Sequence, residues 1–243
     1  MSTAAIVWCL GVMMLAALVQ SVGGFGFALL AVPLAAIVID LTTAVIAVSI
    51  ASVFNVAALV LRVYKDIDRA TAARFNVPAL LGMPFGLVIL AMVNQELLKI
   101  VLGALSVVAT VALMRGAGNP RHHHWVDVLA GWLSGILATS TGTNGPPLVL
   151  AAQMAKLSPA AFRATLTFTF LVSGPISLVF FGFAGYFSRA ALLLAGGSIP
   201  LIIIGQYFGL RLRKHVDGRR FERLVYLLLL LSGLSVGISG ALS

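Results

Sequence analysis

The sequence predicts an all-α polytopic membrane protein made of two inverted-topology repeats. Each repeat is a Gly-rich re-entrant helical hairpin followed by three transmembrane helices. Three observations predict this. First, 60% of the 243 residues are hydrophobic and only 9% are charged, against roughly 25% charged in soluble domains; mean hydropathy is +1.09. Second, two polar, glycine-broken stretches interrupt the apolar sequence at corresponding places. They are Gln20-Ser21-Val22-Gly23-Gly24-Phe25-Gly26 and Ala138-Thr139-Ser140-Thr141-Gly142-Thr143-Asn144-Gly145-Pro146-Pro147. Third, the basic residues gather in short loops on one side of the expected spans, the pattern that marks cytoplasmic loops.

The first hairpin covers residues 4–39. Ala4 to Val22 is apolar, and Phe25 to Ile39 continues it. One helix through both would be about 50 Å long, against a hydrocarbon core of about 30 Å. The chain therefore turns near Gly23-Gly24, where glycine reaches positive φ without a Cβ clash. Spans at 43–61, 75–92 and 97–114 complete a first repeat, 1–114. A cytoplasmic linker, 115–125, joins it to a second repeat, 126–243.

The second hairpin covers 126–155. Val126 to Leu137 leads in and Pro146 to Ala155 leads out. Each arm is about 15 to 20 Å long as helix, too short to cross comfortably, so the tip is expected near mid-membrane. Spans at 164–183, 190–210 and 224–240 follow. Placing Gly142 and Gly145 on Gly23 and Gly26 sets the halves in register. Gly82-Met83-Pro84-Phe85-Gly86 then falls near Gly205-Gln206-Tyr207-Phe208-Gly209, and Leu97 to Ile100 near Phe221 to Leu224. A repeat of this length reads as a duplicated half-transporter.

The basic loops are 62–74, 115–121, 156–163 and 211–223; the loops at 93–96 and 182–188 are poor in basic residues, with Arg189 at the edge of the second. With the basic loops inside, both termini lie outside the cytoplasm. The first hairpin then enters from the outer side and the second from the inner side. The location implied is the plasma (inner) membrane.

Several function classes drop out. The net charge of +9 acts as a topology signal and does not point to nucleic acid. The lone Cys9 excludes an internal disulfide and a Cys-based metal site. Met1-Ser2-Thr3 carries no basic residue, so the first apolar stretch reads as a retained membrane segment. His122-His123-His124 lies in a loop without further ligands, so no metal site and no cofactor is expected. An enzyme is not expected, since no buried nucleophile–base pair or paired aspartates fall within a span. All seven acidic residues fall at ends or in loops, which makes a carboxylate proton relay hard to build. Sodium or proton coupling and uncoupled passage all stay open, as does a homo-oligomer.

The polar stretches carry the chemistry. An anion at mid-membrane needs hydrogen-bond donors, and helix N-termini supply them through unpaired N–H groups and the macrodipole. A helix is expected to start after each turn, at Phe25 and at Pro146. The candidate substrate-binding residues are Gly23, Gly24, Gly26, Ser140, Thr141, Gly142, Thr143, Asn144 and Gly145. The second tip is the expected principal site, with Thr143 and Asn144 as side-chain donors. Gln20, Ser21, Asn55 and Gln206 are candidates for lining a path. The plainer alternative is that the glycines only permit close helix packing and the amides only bond between helices. Pro78, Pro84, Gly174 and Pro175 are expected to break or kink their spans, and Arg163 to anchor the inner end of its span.

Gly23-Gly24-Phe25-Gly26 followed by Pro33, together with Thr141-Gly142-Thr143-Asn144-Gly145-Pro146-Pro147, resembles the TauE/SafE family of membrane proteins. The resemblance covers the whole chain. Family members more often carry Gly-Gly-Pro where Asn144-Gly145-Pro146 stands here. The resemblance implies passage of small anions, commonly sulfite or organosulfonates. An anion channel and a non-transporting membrane scaffold remain the alternatives.

Overall fold

The computed structural model describes residues 1–115, 123–212 and 218–242. The centre of the linker with Arg121 and His122, and also His215, lie outside the described residues. Ten α-helices run in order among them. They are α1 (Thr3–Gly23), α2 (Phe27–Ala35), α3 (Leu41–Val63), α4 (Arg69–Met92), α5 (Gln95–Arg115), α6 (His124–Ser140), α7 (Gly145–Met154), α8 (Pro159–Phe183), α9 (Arg189–Leu212) and α10 (Gly218–Leu242). A 3-10 turn, Tyr64–Asp66, follows α3. The described residues contain no strand.

The helix starts are encoded locally. Ser2, Asp40, Asp68, Asn94, Ser158 and Ser188 each accept a hydrogen bond from the backbone N–H three residues on, at 2.8 to 3.2 Å. Such a cap satisfies one of the donors that a helix N-terminus leaves open. The two starts that follow the glycine-broken turns, at Gly26 and Asn144, have no side-chain cap.

Seven helices are long and apolar enough to cross a membrane: α1, α3, α4, α5, α8, α9 and α10. The sequence expectation was six spans. The difference is α1, whose 21 residues make about 31 Å of helix. α6, with 17 residues, is also longer than the arm expected at 126–137. Helices cover the ranges of all six expected spans and begin one to six residues earlier. Arg69, Arg74 and Arg163 thereby fall inside helices rather than in loops. Pro78, Pro84 and Pro175 do not end their helices, and α4 and α8 run through them.

Packing exchanges neighbours between the halves. α4 lies along α6, and α9 lies along α1; α3 meets α8 and α9, while α8 meets α3 and α4; α5 pairs with α10. The α4–α6 seam is built on glycine. A Cβ added at Gly82 or Gly86 would collide with Trp132 O or Ile136 O, and one at Gly131 or Gly135 with Phe75 O or Ala79 O. At the α1–α9 seam, Gly205 meets Met14 O and Gly209 meets Leu18 O. Without Cβ atoms at these points the backbones come close enough for dispersion contact, the main attraction between helices in lipid. Large apolar side chains such as Leu61, Leu81, Phe85, Val108, Phe183 and Leu193 point outward. On a membrane-spanning chain such outward faces meet lipid.

Candidate functional site

α3 and α8 run antiparallel. Gly174 lies against Val53, and Thr165 Oγ1 accepts the backbone N–H of Asp68, just beyond the end of α3, at 3.0 Å. Two polar groups flank this crossing.

The first group joins α1, α3 and α9. Asn55 Nδ2 donates to Gln20 Oε1 at 2.8 Å, and Gln206 Nε2 donates to Asn55 Oδ1 and to Asn55 O, both at 2.7 Å. Gln20, Asn55 and Gln206 are 2%, 0% and 7% exposed. The row therefore sits in an apolar interior, where a bonded amide is strongly held and an unbonded one is costly. Three of the four expected path residues are thus brought together. The fourth, Ser21, instead donates to Ala17 O in its own helix.

The second group surrounds the turn between α6 and α7. Ser134 Oγ donates to Asn144 O at 2.9 Å, and Asn144 Nδ2 donates to Ser173 Oγ of α8 at 3.1 Å. Thr139 Oγ1 donates to Met83 O, Ser140 Oγ to Ile136 O and Thr141 Oγ1 to Leu137 O. Thr143 Oγ1 lies 2.9 Å from Thr141 Oγ1. Since Thr141 spends its proton on Leu137, Thr143 is the donor in that pair. A hydroxyl has one proton, and here each is spent on holding the turn. Ser140, Thr141 and Thr143 therefore present lone pairs, not the side-chain donors that the sequence suggested. Pro146 and Pro147 remove two more N–H groups from the first turn of α7. At the start of α7 itself this leaves the N–H of Gly145 to donate, with the second Nδ2 proton of Asn144 beside it.

The turn between α1 and α2 is the reverse case. Its glycines, Gly23, Gly24 and Gly26, bring no side chain. Gly24 ends α1 at φ 82°, its N–H donating to Gln20 O, and Gly26 precedes α2 at φ 102°. The first bond within α2 is Leu30 N–H to Gly26 O. The N–H groups of Phe27, Ala28 and Leu29 are therefore left by helix geometry, and Gly26 cannot cap them. Phe25 packs edge-on against Phe162. Arg163 runs alongside Gly24: a Cβ there would sit 3.0 Å from Arg163 Cα. Sequence reasoning assigned Arg163 to the inner end of its span and missed this contact.

By backbone conformation the register of the turns shifts by one residue. Gly24 and Gly142 share positive φ, at 82° and 69°, and Gly26 and Asn144 precede the next helices. The pairing of Gly23 with Gly142 is corrected accordingly. The two turns meet different neighbours. Gly142 meets Val45 and Val32, while Gly24 meets Arg163. The chain doubles back after the second glycine, so Asn144 reaches Ser173 at the crossing itself.

No group of three His, Cys, Asp or Glu side chains that could hold a metal occurs among the described residues. Asp127, expected at a helix end, is 0% exposed in the first turn of α6, with Arg74 Nε donating to its Oδ2 at 2.7 Å. Ser134 and Ser173 were also missed, although Ser173 belongs to a four-residue hydroxyl spacing on α8 that is visible in the sequence.

No curated protein and no solved structure matches the chain. A family model described as "Sulfite exporter TauE/SafE" matches residues 9–236. With nearly the whole chain matched, on an all-helical frame with seven membrane-crossing helices, the protein belongs to the TauE/SafE family of membrane transporters.

Proposed function

We propose that the protein is a secondary transporter that exports a small oxyanion, sulfite or an organosulfonate, through a site at the α3–α8 crossing. One observation carries this reading: polar groups from both halves flank that crossing inside an apolar bundle. Gln20, Asn55 and Gln206 lie on one side, Asn144 and Ser173 on the other. Polar side chains buried at membrane depth are costly and tend to mark substrate paths. The broken pairs α1–α2 and α6–α7 supply the uncapped helix starts that suit an anion. By the hydrogen-bond accounting above, the start of α2 contributes most of the N–H donors, and Asn144 and Gly145 contribute the rest. The role of principal site, expected at the second tip, is therefore shared with the first. Arg163 adds a positive chain beside the first turn.

In this reading residues 1–114 and 126–243 are repeats of opposite membrane orientation. Both termini are outside, the basic loops are cytoplasmic, and the location is the plasma membrane. The exchange of neighbours between halves supports the duplication, and the basic loops support the orientation. Flux of sulfite and of organosulfonates into proteoliposomes tests the function. Saturation and counter-exchange support a carrier. Unsaturable flux without counter-exchange replaces the reading by a channel, and no flux of any anion replaces it by a scaffold.

A further inference from the structure

The amide row that joins α1, α3 and α9 has a direction. Gln206 Nε2 lies 2.7 Å from both Asn55 O and Asn55 Oδ1. The backbone carbonyl fixes the Gln206 amide, because the flipped form would set two carbonyl oxygens together. Asn55 Oδ1 then faces a donor, which turns Asn55 Nδ2 toward Gln20 and makes Gln20 Oε1 the acceptor, at 2.8 Å. Gln206 spends both Nε2 protons on Asn55, and every bond in the row points from Gln206 toward Gln20. Bonds aligned head to tail polarise one another. The donor character of the row therefore collects at its last member, Gln20 Nε2.

Gln20 is 2% exposed. Among the described residues nothing accepts a hydrogen bond from its Nε2. Nor is Nε2 one of their fully enclosed unpartnered atoms, so the little exposure that Gln20 keeps includes it. A buried amide held through its oxygen and open at its nitrogen calls for an occupant. A helical side chain covers the surface over the turn before its own Cα, and the residues placed to cover Gln20 are Gly23 and Gly24. Gly23 has no positive φ, and a Cβ there would meet only the ring of Phe25, at 3.7 Å. Neither conformation nor packing requires glycine at 23; its effect is to leave the patch over Gln20 bare.

We infer that Gln20 is a specificity-determining residue whose amide N–H groups bind the oxygens of a sulfite or sulfonate group. Toward the ligand this group offers two protons and no lone pair. It therefore suits a deprotonated oxyanion and disfavours a cation or a second donor. Asn55 and Gln206 act through it as positioning residues. The inference rests on the transport reading above and assigns its anion contact in the first half to one side chain.

Sulfite flux into proteoliposomes is measured for wild type, Gln20→Glu and Gln20→Met, in buffer above neutral pH, with folding checked by size exclusion. Glu keeps the oxygen that accepts from Asn55 and replaces the NH2 by a carboxylate oxygen. Met removes the donor and breaks the row as well. Both variants are expected to raise the half-saturating concentration roughly tenfold or more, the worth of one hydrogen bond to a charged ligand. Gln20→Glu should be the weaker of the two, because it sets like charge against the anion. If Gln20 only held the helices together, the order would reverse, since Met alone breaks the row. That reversed order overturns the inference, and so does unchanged half-saturation in both variants beside saturable wild-type flux; either result leaves the transport reading standing. If Gln20→Glu does not fold, the half-saturation of Gln20→Met decides alone. A wild type that passes neither sulfite nor an organosulfonate removes the reading and the inference together.

Discussion

The two turns occupy matching places and are built from opposite materials. The first is glycine and backbone: Gly24 and Gly26 at positive φ, an uncapped α2, and Arg163 alongside. The second is hydroxyl and amide: Thr141, Thr143 and Asn144, a proline-led α7, and Val45 where the first turn has Arg163. The neighbouring groups differ in the same way. One side of the α3–α8 crossing has Gln20, Asn55 and Gln206, and the other has Asn144 and Ser173 with Met83 nearby. On the proposed duplication, the frame has kept its packing and diverged in its hydrogen-bonding chemistry. Donors concentrate at the first turn and acceptors at the second.

The largest expected effect separates the turns sterically. Gly24→Val places a β-branched residue at positive φ, against Arg163 backbone at 3.0 Å. Backbone strain and overpacking each cost about 1–3 kcal/mol. At about 2–4 °C per kcal/mol, Tm should fall on the order of 10 °C. Gly142→Val carries similar strain but meets only side chains, Val45 at 3.2 Å and Val32 at 3.5 Å, and should lose about half as much. Differential scanning fluorimetry in detergent compares them. Equal losses would mean that Arg163 does not constrain the first turn.

Next come the polar groups. Asn55→Leu leaves Gln20 Oε1 and Gln206 Nε2 without their partner, at about 1–3 kcal/mol for each buried group. Ser173→Ala removes one acceptor from a half-buried Asn144 and should cost about 1 kcal/mol or less. Chemical or thermal unfolding of the two variants ranks them. A larger loss in Ser173→Ala would reverse the assignment of the tighter group.

Much of this was legible in the sequence. The caps at Asp40, Asp68, Asn94, Ser158 and Ser188 are short-range signals, and the spans follow from apolar length. The turn glycines were legible because no other residue suits positive φ so well. The direction of each hydroxyl was not legible. Thr143 and Ser140 can donate to a ligand or to their own helix, and the choice depends on carbonyls at Ile136, Leu137 and Met83 that only tertiary packing and the helix end define. The place of Arg163 was hidden for the same reason, since it meets Gly24 across the two halves.

The smallest expected effect concerns the ends of α4 and α9, which occupy matching places. α4 is capped by Asp68 and α9 by Ser188. The Thr71 N–H bound to the Asp68 carboxylate, with the Thr71 hydroxyl and Arg74 adding to it, holds its pKa below the ordinary value. A lowered folded pKa means stability present above the unfolded pKa and lost as pH falls through the folded one. Acidification below about pH 4 should therefore weaken the α4 cap and leave the α9 cap unchanged. Asp68→Ser should flatten the acid limb of Tm against pH by a few degrees at most, and Ser188→Ala should shift the whole curve without changing its shape. An unchanged acid limb in Asp68→Ser would remove this carboxylate from the pH response.

The central claim, a shared anion site at the α3–α8 crossing, is tested most directly by sulfite concentration dependence of flux in proteoliposomes. Wild type, Asn55→Leu and Asn144→Ala are compared, with folding checked by size exclusion. Each variant removes a polar group from a different half, and losing one hydrogen bond to a charged ligand costs about 1.5–3 kcal/mol. The account predicts that both raise the half-saturating concentration about tenfold or more. Unchanged half-saturation in both variants would place the anion elsewhere and contradict it.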